Sequence, residues 1–333
     1  MKWIAEASPN IALIKYWGKK PSLQDLDRNL ALNPSVSFTL SQAKTRVQIS
    51  LANEFEFIVN HQIASAEDQK KILEHVQRIY NELQSRQLLK TPKLIPLKID
   101  SSNNFPSGTG MASSASSFAA LTTGLLGSFL GVSGALKIIE SEGPWVSSLA
   151  RRGSGSASRS MFGPWAQWKG PEASAIFSQW KLYDTVAIVS SEHKKYPSSF
   201  GHQAALSSPL LPERLSKISE RFAKVISAIE KKSLKLLGPL IEEEALEMHH
   251  VAEAGSPSIA YLEESSRLII NALQAMPDRD FYFTVDAGPN IHLISERPIE
   301  TEIRQLLAEL GIKAKIWCDE SGPGPSLREW HER

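Results

Sequence analysis

Residues 102–126, SNNFPSGTGMASSASSFAALTTGLL, join a turn rich in glycine and serine to an apolar segment. Phe118, Leu121 and Leu125 recur at the spacing of one helix face, which predicts a helix that begins near Ser113. Small residues let backbone N–H groups approach a ligand closely, and the first turn of a helix adds unpaired N–H groups and a positive dipole end. The stretch therefore favours a phosphate-binding site.

The same loop is also typical of an ordinary turn before a buried helix. It contains no G-x-x-x-x-G-K-[ST] pattern and no G-x-G-x-x-G pattern after a strand, so neither of the best-known phosphate loops applies. The choice between a turn and a phosphate site therefore depends on other parts of the chain.

The composition is that of an ordinary globular protein with room for two domains. The chain has 333 residues, of which 42% are hydrophobic and 22% are charged, and its formal net charge is +1. A net charge near zero argues against a nucleic-acid partner bound through many phosphate contacts. A small anionic ligand fits this composition better.

The single cysteine, Cys318, excludes an intramolecular disulfide and indicates a reducing cytoplasm, and we expect this thiol to pack in the interior. The first residues lack the continuous apolar core of a signal peptide. The apolar run 118–132 is short for a membrane span and is interrupted by glycines. We therefore expect a cytoplasmic protein with no membrane partner.

Strands and helices are mixed along the chain without regular β-α alternation, which predicts an α+β fold. The first clear strand of the second half begins at residue 183, so we place the domains at 1–182 and 183–333. The segment 191–202 is predicted to be a polar loop. Strands are predicted at 2–7, 35–40, 45–51, 54–59, 94–99, 183–190 and 312–318, with a strand, tight turn and strand over 281–294. Helices are predicted at 66–89, 135–139, 145–150, 213–229, 234–250, 259–276 and 300–310.

Three local patterns carry candidate site residues. Lys15 lies between apolar and aromatic neighbours, so it is either a solvated strand lysine or a partly desolvated one suited to a carboxylate or phosphate. The segment RRGSGSASRS at 151–160 suits anion binding by its hydroxyls and arginines, or a flexible linker. Asp286 ends a predicted strand before a Gly-Pro turn, where it either caps the turn or takes part in chemistry.

Histidines and cysteine form no metal-ligand pattern in the sequence. His249 and His250 are adjacent on a predicted helix and therefore point to different faces. We interpret them as packing or surface residues and predict no protein metal centre.

Three stretches match one pattern in order: NIALIKYWGKK at 10–20, NNFPSGTGMASSASSFAAL at 103–121 with RRGSGSASRSMFG at 151–163, and FTVDAGPN at 283–290. Together they resemble the diphosphomevalonate decarboxylases of the GHMP kinase superfamily, whose phosphate loop P-x-x-x-G-[LM]-[GA]-S-S-A is matched by PSGTGMASSA. The resemblance runs along nearly the whole chain. It implies a GHMP kinase fold with an N-terminal domain of the ribosomal protein S5 domain 2-like type and a C-terminal ferredoxin-like α/β sandwich.

The resemblance also implies an activity, namely ATP-dependent decarboxylation of mevalonate 5-diphosphate to isopentenyl diphosphate in the mevalonate route of isoprenoid biosynthesis. ATP and Mg²⁺ are the implied cofactors, and a homodimer is the implied assembly. By matching positions, Asp286 should face the tertiary hydroxyl of the substrate, Arg159 should clamp its carboxylate, and Lys15 should lie near Asp286. The residues implied to hold the substrate are Tyr16, Lys19, Ser154, Ser156 and Ser199. Those implied to hold the ATP phosphates are Ser107, Gly108, Gly110, Ser113 and Ser114.

Two departures from the family pattern keep alternatives open. Where the family reads S-S-[TR]-x-G-M, residues 198–202 read SSFGH, so Phe200 replaces an arginine or threonine that would help to hold phosphate. The segment 21–33 is longer and more polar than the family loop. A decarboxylase of mevalonate 5-monophosphate therefore remains an alternative. A kinase that phosphorylates mevalonate without decarboxylation and a non-catalytic binding protein are two others, against which Lys15, Arg159 and Asp286 weigh.

Overall fold

The computed structural model describes residues 2–89, 93–105, 113–190, 196–276 and 278–330. The strands are β1 Lys2–Ala7, β2 Asn10–Ile14, β3 Ser35–Thr39, β4 Thr45–Leu51, β5 Glu56–Val59, β6 Gln62–Ile63, β7 Leu97–Asn103, β8 Trp165–Lys169, β9 Glu172–Ala175, β10 Tyr183–Ile188, β11 Phe281–Val285, β12 Ile291–Ser295, β13 Lys315–Glu320 and β14 Ser326–Trp330. The helices are α1 Ala66–Ser85, α2 Ser113–Ser141, α3 Gly143–Gly153, α4 Ala157–Ser160, α5 Ser198–Ser207, α6 Leu211–Glu230, α7 Leu234–Glu253, α8 Glu264–Gln274 and α9 Glu300–Glu309.

The N-terminal half contains two sheets. One has six strands in the order β14-β1-β4-β7-β5-β6, and the other has four in the order β2-β3-β8-β9. All pairs in the six-stranded sheet are antiparallel except β5 with β7. The four-stranded sheet carries the ends of β2 and β3 toward the cavity described below.

Helix α2 lies across β1 and β4 of the six-stranded sheet. A Cβ atom at Gly124 would lie 3.0 Å from Cδ1 of Ile49. A Cβ atom at Gly127 would lie 2.9 Å from Cδ1 of Leu327, so these glycines let the helix approach the sheet closely. By length and composition α2 is apolar enough to cross a membrane, but 56% of its apolar window is buried inside the protein. Its apolar face therefore forms part of the protein core.

The second half is built on a four-stranded antiparallel sheet in the order β11-β12-β10-β13. Counted along the chain, these strands follow the ferredoxin-like order, with α9 connecting β12 to β13. Apolar side chains of α8 and α9 bury one face of the sheet. Helix α7 packs against β11, which brings the end of β11 close to the N-terminal half.

The two halves are joined by contacts between residues far apart in sequence. Strand β14 returns to the N-terminal sheet and pairs antiparallel with β1. The carboxylate of Asp319 accepts N–H groups from Ser41 and Gln42 at 3.0 and 2.8 Å. It also accepts the N–H group of Ala43 at 2.7 Å. The proposed domain boundary near residue 182 stays a prediction.

Several expectations for individual elements are wrong. Residues 198–202, predicted as loop, begin α5, whose Gly201 is a poor helix former but lets Trp17 and Tyr261 pack against the helix. Strand β14 and the pair β8 and β9 were not predicted, because their partners lie far away in sequence. Cys318 is exposed rather than packed in the interior.

Candidate active site

A cavity of about 360 Å³ lies where β2, α2, α4, α5 and the end of β11 meet. It brings together the three stretches that carry the family pattern. The predicted residues that line it are Lys15, Tyr16, Lys19, Ser113, Ser114, Ser154, Ser156, Arg159 and Asp286.

Lys15 and Asp286 form an ion pair in the cavity. The Nζ atom of Lys15 donates to Oδ1 of Asp286 at 2.6 Å and to the carbonyl oxygen of Ala12 at 2.8 Å. The Lys15 side chain is 2% exposed and that of Asp286 is 20% exposed. Because a buried ammonium group without an anion is costly, the pair fixes both side chains while the carboxylate stays accessible.

Two features direct Lys15 into the cavity. The pairing of β2 with β3 shifts register between Ala12 and Ile14, and such a bulge changes the direction of the side chains that follow. The backbone N–H group of Lys15 donates to Oε1 of Glu244 at 2.9 Å. Glu244 is fully buried on α7 and forms an ion pair with Arg214. A helix of the second half thereby fixes the end of a strand of the first.

A tight turn places Asp286 at the cavity wall. The N–H group of Gly288 donates to the carbonyl oxygen of Asp286 at 2.7 Å. The carboxamide oxygen of Asn290 accepts the N–H groups of Val189 and Ser190 at 2.9 and 3.2 Å. These bonds attach the turn to the end of β10, so the position of the carboxylate does not depend on a mobile loop.

Arg159, on α4, is 2% exposed and is held by neutral oxygen atoms. Its Nε atom donates to Oδ1 of Asn10 at 3.0 Å and to Oγ of Ser37 at 3.1 Å. Its Nη1 atom donates to Oγ of Ser35 at 2.6 Å. Burial lowers the pKa of Arg159 to about 10, against the opposing effect of nearby Asp286, so the guanidinium is cationic at neutral pH. Within the described ranges its Nη2 atom has no hydrogen-bond partner, which leaves it available for an anion.

Tyr16 and Lys19 form another wall, and Asn29 orients both. The hydroxyl of Tyr16 and Nζ of Lys19 donate to the carbonyl oxygen and Oδ1 of Asn29 at 3.1 and 2.9 Å. Burial raises the pKa of Tyr16, so it remains a phenol. Burial, with a smaller effect of Arg28, lowers the pKa of Lys19. A Cβ atom at Gly155 would lie 2.5 Å from Cε1 of Tyr16, so only glycine permits this approach.

Arg151 attaches the polar segment 21–33 to this wall. Its Nη2 atom donates to the carbonyl oxygen of Leu26 at 2.8 Å, and its Nη1 atom donates to that of Arg28. In return, Nδ2 of Asn29 donates to the carbonyl oxygen of Arg151 at 3.0 Å. Arg151 is 2% exposed and acts on the loop, not on a ligand. The longer loop thereby supplies Asn29 to the site.

Serines from two segments meet at the N-terminus of α2. The Oγ atom of Ser154 lies 3.2 Å from Oγ of Ser114 and 3.4 Å from Oγ of Ser156. Ser114 belongs to the first turn of α2, where unpaired N–H groups and the helix dipole favour an anion. The hydroxyls and the helix end together form a wall rich in hydrogen-bond donors.

A second cavity, of about 290 Å³, adjoins the first at Ser113 and Ser114, which line both. Much of its remaining wall is apolar and includes Val47, Ile72 and Phe118. The N-terminus of α2 therefore lies between a polar cavity and a mainly apolar one. An apolar group carrying phosphates could occupy the second cavity with its phosphates at the helix end.

His202, on α5, completes the wall beside Tyr16. Its Nδ1 atom accepts the N–H group of Gly18 at 3.1 Å. The ring centroid lies 4.4 Å from that of Tyr16 and 5.0 Å from that of Trp17. Burial, reinforced by Lys19, lowers the pKa of His202 well below 6.5, so the imidazole is neutral at neutral pH.

The remaining predicted residues lie elsewhere. Ser199 is exposed and does not line the cavity, whereas its neighbour Ser198 does. Ser107, Gly108 and Gly110 lie outside the described residues. The two candidate metal ligands are separated by burial. His249 is buried against Tyr261, with 6.0 Å between ring centroids, while His250 is exposed.

Sequence reasoning missed several residues of the site: Asn10, Asn29, Ser35, Ser37, Ser198, His202 and Glu244. One signal was present, because Ser35 and Ser37 are two apart and share a face of β3, a strand that proves buried throughout. A polar face on a buried strand requires a polar partner. Glu244 and His202 carry no such local signal, since their roles arise from contacts more than 180 residues away in sequence.

The sequence matches known families along most of its length. Residues 7–176 match the family model described as a diphosphomevalonate decarboxylase-like N-terminal domain, and residues 185–320 match the mevalonate 5-diphosphate decarboxylase C-terminal domain. The diphosphomevalonate decarboxylase of Debaryomyces hansenii is 31% identical over 339 residues, which cover 94% of this chain and 84% of that protein. The enzyme of Saccharomyces cerevisiae is 31% identical over 311 residues, covering 85% and 75%.

Solved structures agree with the sequence matches. A structure of the mevalonate diphosphate decarboxylase from Enterococcus faecalis is 29% identical, covers 99% of both chains and has a TM-score of 0.82. The structure of MDDEF in complex with MVAPP, AMPPCP and magnesium is also 29% identical with 99% coverage of both chains and a TM-score of 0.83. These matches confirm the α+β class and the GHMP kinase fold. With both halves matched and the cavity formed by the residues of the family pattern, the chain belongs to the diphosphomevalonate decarboxylase family.

Proposed function

We propose that this protein decarboxylates mevalonate 5-diphosphate to isopentenyl diphosphate, with consumption of ATP and release of ADP, phosphate and carbon dioxide. The observation that carries the proposal is the Lys15–Asp286 ion pair at 2.6 Å, which shares one cavity with Arg159 and the N-terminus of α2. A kinase needs the phosphate site and a carboxylate. A decarboxylase must also hold the substrate carboxylate, and the partly unpaired guanidinium of Arg159 is suited to that.

The chemistry explains why ATP is required. A tertiary hydroxyl is a poor leaving group, so the γ-phosphoryl group is first transferred to its oxygen atom. The carbon–oxygen bond then breaks and its electron pair leaves with phosphate. The bond to the carboxylate carbon breaks as carbon dioxide departs, and its electron pair forms the new double bond. The site must therefore stabilise positive charge at the tertiary carbon and negative charge on phosphate.

The ion pair and Arg159 divide this task. Asp286 orients the tertiary hydroxyl and attracts its proton, since dissociative phosphoryl transfer needs little basicity. Lys15 holds that carboxylate in place and offers positive charge to the transferred phosphoryl group. Arg159 binds the substrate carboxylate through Nη2, because its other donors are already bonded to Asn10, Ser35 and Ser37.

The 5-diphosphate is assigned to the opposite part of the cavity. Lys19 supplies an ammonium group there, and Tyr16, Ser154 and Ser156 supply neutral hydroxyls within the same lining. The relative MDDEF has been solved with MVAPP, AMPPCP and magnesium, which supports the same pair of ligands for this chain.

The nucleotide is assigned to the second cavity, with its phosphates at Ser113 and Ser114. Magnesium, when bound, neutralises part of the phosphate charge. The parts of the chain described here hold no cluster of three His, Cys, Asp or Glu side chains suited to a metal, so its ligands would be mainly phosphate oxygens and water. The Ser114 hydroxyl is the protein oxygen that fits such a site.

Release of carbon dioxide is the decisive measurement. The purified protein is supplied with ATP, Mg²⁺ and either mevalonate 5-diphosphate or the 5-monophosphate, and carbon dioxide, ADP and the organic product are measured. We expect release of carbon dioxide with the 5-diphosphate in equal amount to ADP. ADP without carbon dioxide would identify a kinase, and release only with the 5-monophosphate would assign the alternative substrate.

We further propose that the protein acts as a homodimer in the cytoplasm. A single cysteine and a net charge of +1 support a reducing, aqueous setting. Sedimentation equilibrium of the purified chain tests the assembly, with a mass of twice the monomer expected. A monomer at all concentrations would contradict the proposal. Cell fractionation with detection of the chain tests the location.

A further inference from the structure

The wall formed by α5 contains a polar group that the proposed chemistry has not used. His202 lines the cavity, and Phe200 of the same helix is 51% exposed and lies outside it. The polar side chains that α5 directs to the cavity are therefore Ser198 and His202. Of these, His202 is the buried one, at 5% exposure.

The hydrogen bond to Gly18 determines which nitrogen of His202 carries the proton. Nδ1 accepts the backbone N–H group of Gly18 at 3.1 Å, so in the neutral ring Nδ1 has the lone pair and Nε2 has the hydrogen. Burial and the charge of Lys19 lower the pKa of His202, which keeps the ring neutral. In the ranges covered by the structure, Nε2 has no hydrogen-bond partner. The site therefore contains a preorganised N–H donor.

The neighbours of His202 indicate what it faces. Its ring contacts Tyr16 and Trp17, and its backbone partner Gly18 precedes Lys19. Lys15 and Asp286 instead belong to the part of the cavity assigned to the carboxylate and tertiary hydroxyl. His202 thus belongs to the phosphate end, where a donor beside one ammonium group suits an oxygen of a second phosphate.

We propose that His202 is a substrate-binding residue whose Nε2–H group donates a hydrogen bond to the terminal phosphate of the 5-diphosphate and favours that substrate over the 5-monophosphate. This inference rests on the proposed function. A neutral donor is suited to the position because a second cation beside Lys19 would be repelled. The bond would form only with a substrate long enough to reach α5.

Two substitutions separate the two nitrogens of the ring. His202→Asn keeps an acceptor for Gly18 near the position of Nδ1 and removes the donor at Nε2. His202→Gln places an amide N–H donor near the position of Nε2 and removes the acceptor. Both lose the ring and its stacking on Tyr16, so loss of the ring affects the two variants alike.

The readouts are the equilibrium dissociation constants of mevalonate 5-diphosphate, mevalonate 5-monophosphate and ATP, together with KM and kcat. We expect His202→Asn to weaken binding of the 5-diphosphate by about tenfold, the usual effect of losing one hydrogen bond to a charged group. Binding of the 5-monophosphate and of ATP should change less than threefold. His202→Gln should recover most of the loss, and kcat should change little in both variants.

A measurement on the unaltered protein covers the case in which a variant does not fold. With ¹⁵N-labelled histidine, the Nε2–H resonance of His202 should become protected from exchange when the 5-diphosphate is added, and should not when the 5-monophosphate is added. Equal protection by both, or by neither, would overturn the inference.

Other outcomes are equally decisive. Equal weakening of both mevalonate derivatives by His202→Asn, or no recovery in His202→Gln, would show a structural role and overturn the inference. Turnover by the wild-type protein separates this result from failure of the proposed function. If the wild type decarboxylates the 5-diphosphate, only the role of His202 is in question, and if it neither binds nor converts that compound, both proposals fail.

Discussion

Lys15 and Asp286 lie 271 residues apart in sequence and 2.6 Å apart in the fold. Each limits the conformations of the other, because the ammonium group is almost completely buried and the carboxylate is its anionic partner. The neutral oxygens around Arg159 do the opposite and leave its positive charge uncompensated for a ligand. At the scale of single residues, the site thus combines one compensated cation with one uncompensated cation.

Asp286→Asn tests the assignment of the carboxylate. The amide keeps the shape of the side chain but loses the charge that orients the hydroxyl, so we expect turnover to fall by about 10²- to 10⁴-fold. The dissociation constant for ATP should stay within about threefold of the wild-type value, since the nucleotide is assigned to the other cavity. Carbon dioxide release and equilibrium ATP binding are the measurements. A parallel loss of ATP binding would identify a structural residue instead.

Lys19 predicts a dependence of binding on alkaline pH. Burial and Arg28 lower its pKa below the ordinary value of 10.5, so its ammonium charge is lost at a lower pH than that of a typical lysine. We expect affinity for the 5-diphosphate to fall as pH rises toward 10.5. Burial raises the pKa of Tyr16, so its phenol does not ionise in this range.

The matched variants for this pH effect are Lys19→Arg and Lys20→Arg. A guanidinium keeps its charge throughout the range, so Lys19→Arg should show a flatter pH profile. Lys20 is exposed, and its replacement should leave the wild-type profile unchanged. Dissociation constants measured at successive pH values decide the matter. Identical profiles for wild type and Lys19→Arg would contradict the prediction.

At the scale of elements, α2 has two roles that depend on different ends of the helix. Its small residues let the body of the helix pack on the six-stranded sheet. Its N-terminus lies between two cavities and directs unpaired N–H groups toward them. The buried body keeps the N-terminus in place, so packing and ligand binding depend on the same element.

Ser114→Ala tests the role of this helix end. The substitution removes one hydroxyl donor from the wall shared by the cavities, and we expect KM for ATP to rise by about tenfold, as for one hydrogen bond to a charged phosphate. KM for the 5-diphosphate should change little. Ser128→Ala, farther along α2 with its hydroxyl bonded to the carbonyl oxygen of Leu125, is the control. A change confined to the affinity for the 5-diphosphate would contradict the assignment.

At the scale of the whole molecule, the site exists only when both halves are assembled. Lys15 belongs to the first half, and Asp286 and Glu244 belong to the second. The halves are held together by β14, which pairs with β1, and by Asp319, which accepts N–H groups from residues 41–43. Contacts away from the cavity therefore determine the geometry within it.

Asp319→Asn tests this link. The carboxylate accepts the N–H group of Ala43 through Oδ2, and an amide nitrogen at that position would face a donor with a donor. We expect the free energy of unfolding to fall by about 1–3 kcal/mol, measured by denaturant titration. Asp280→Asn, at an exposed pair with Arg297, is the control and should change it by less than about 1 kcal/mol. Equal effects of the two substitutions would contradict the proposed link.

The local sequence was sufficient for elements whose signal lies within a few residues. The alternation in 45–51 predicted β4 with its observed bounds, and the apolar spacing after Ser113 predicted α2. It failed for α5, where Gly201 disfavours a helix that tertiary contacts with Trp17 and Tyr261 support. Strand β14 was missed for the same kind of reason, because its pairing partner is the first strand of the chain.

For the site, the amino-acid sequence by itself determined which reactive groups exist and, through the order of the three matching stretches, the family to which they belong. The tertiary structure alone decided what each group contacts: Glu244 at the backbone of Lys15, three neutral side chains around Arg159, and His202 between Tyr16 and Trp17. The physical reason is that spacing along the chain determines the face on which a side chain lies, whereas its partner is selected only when distant segments pack together.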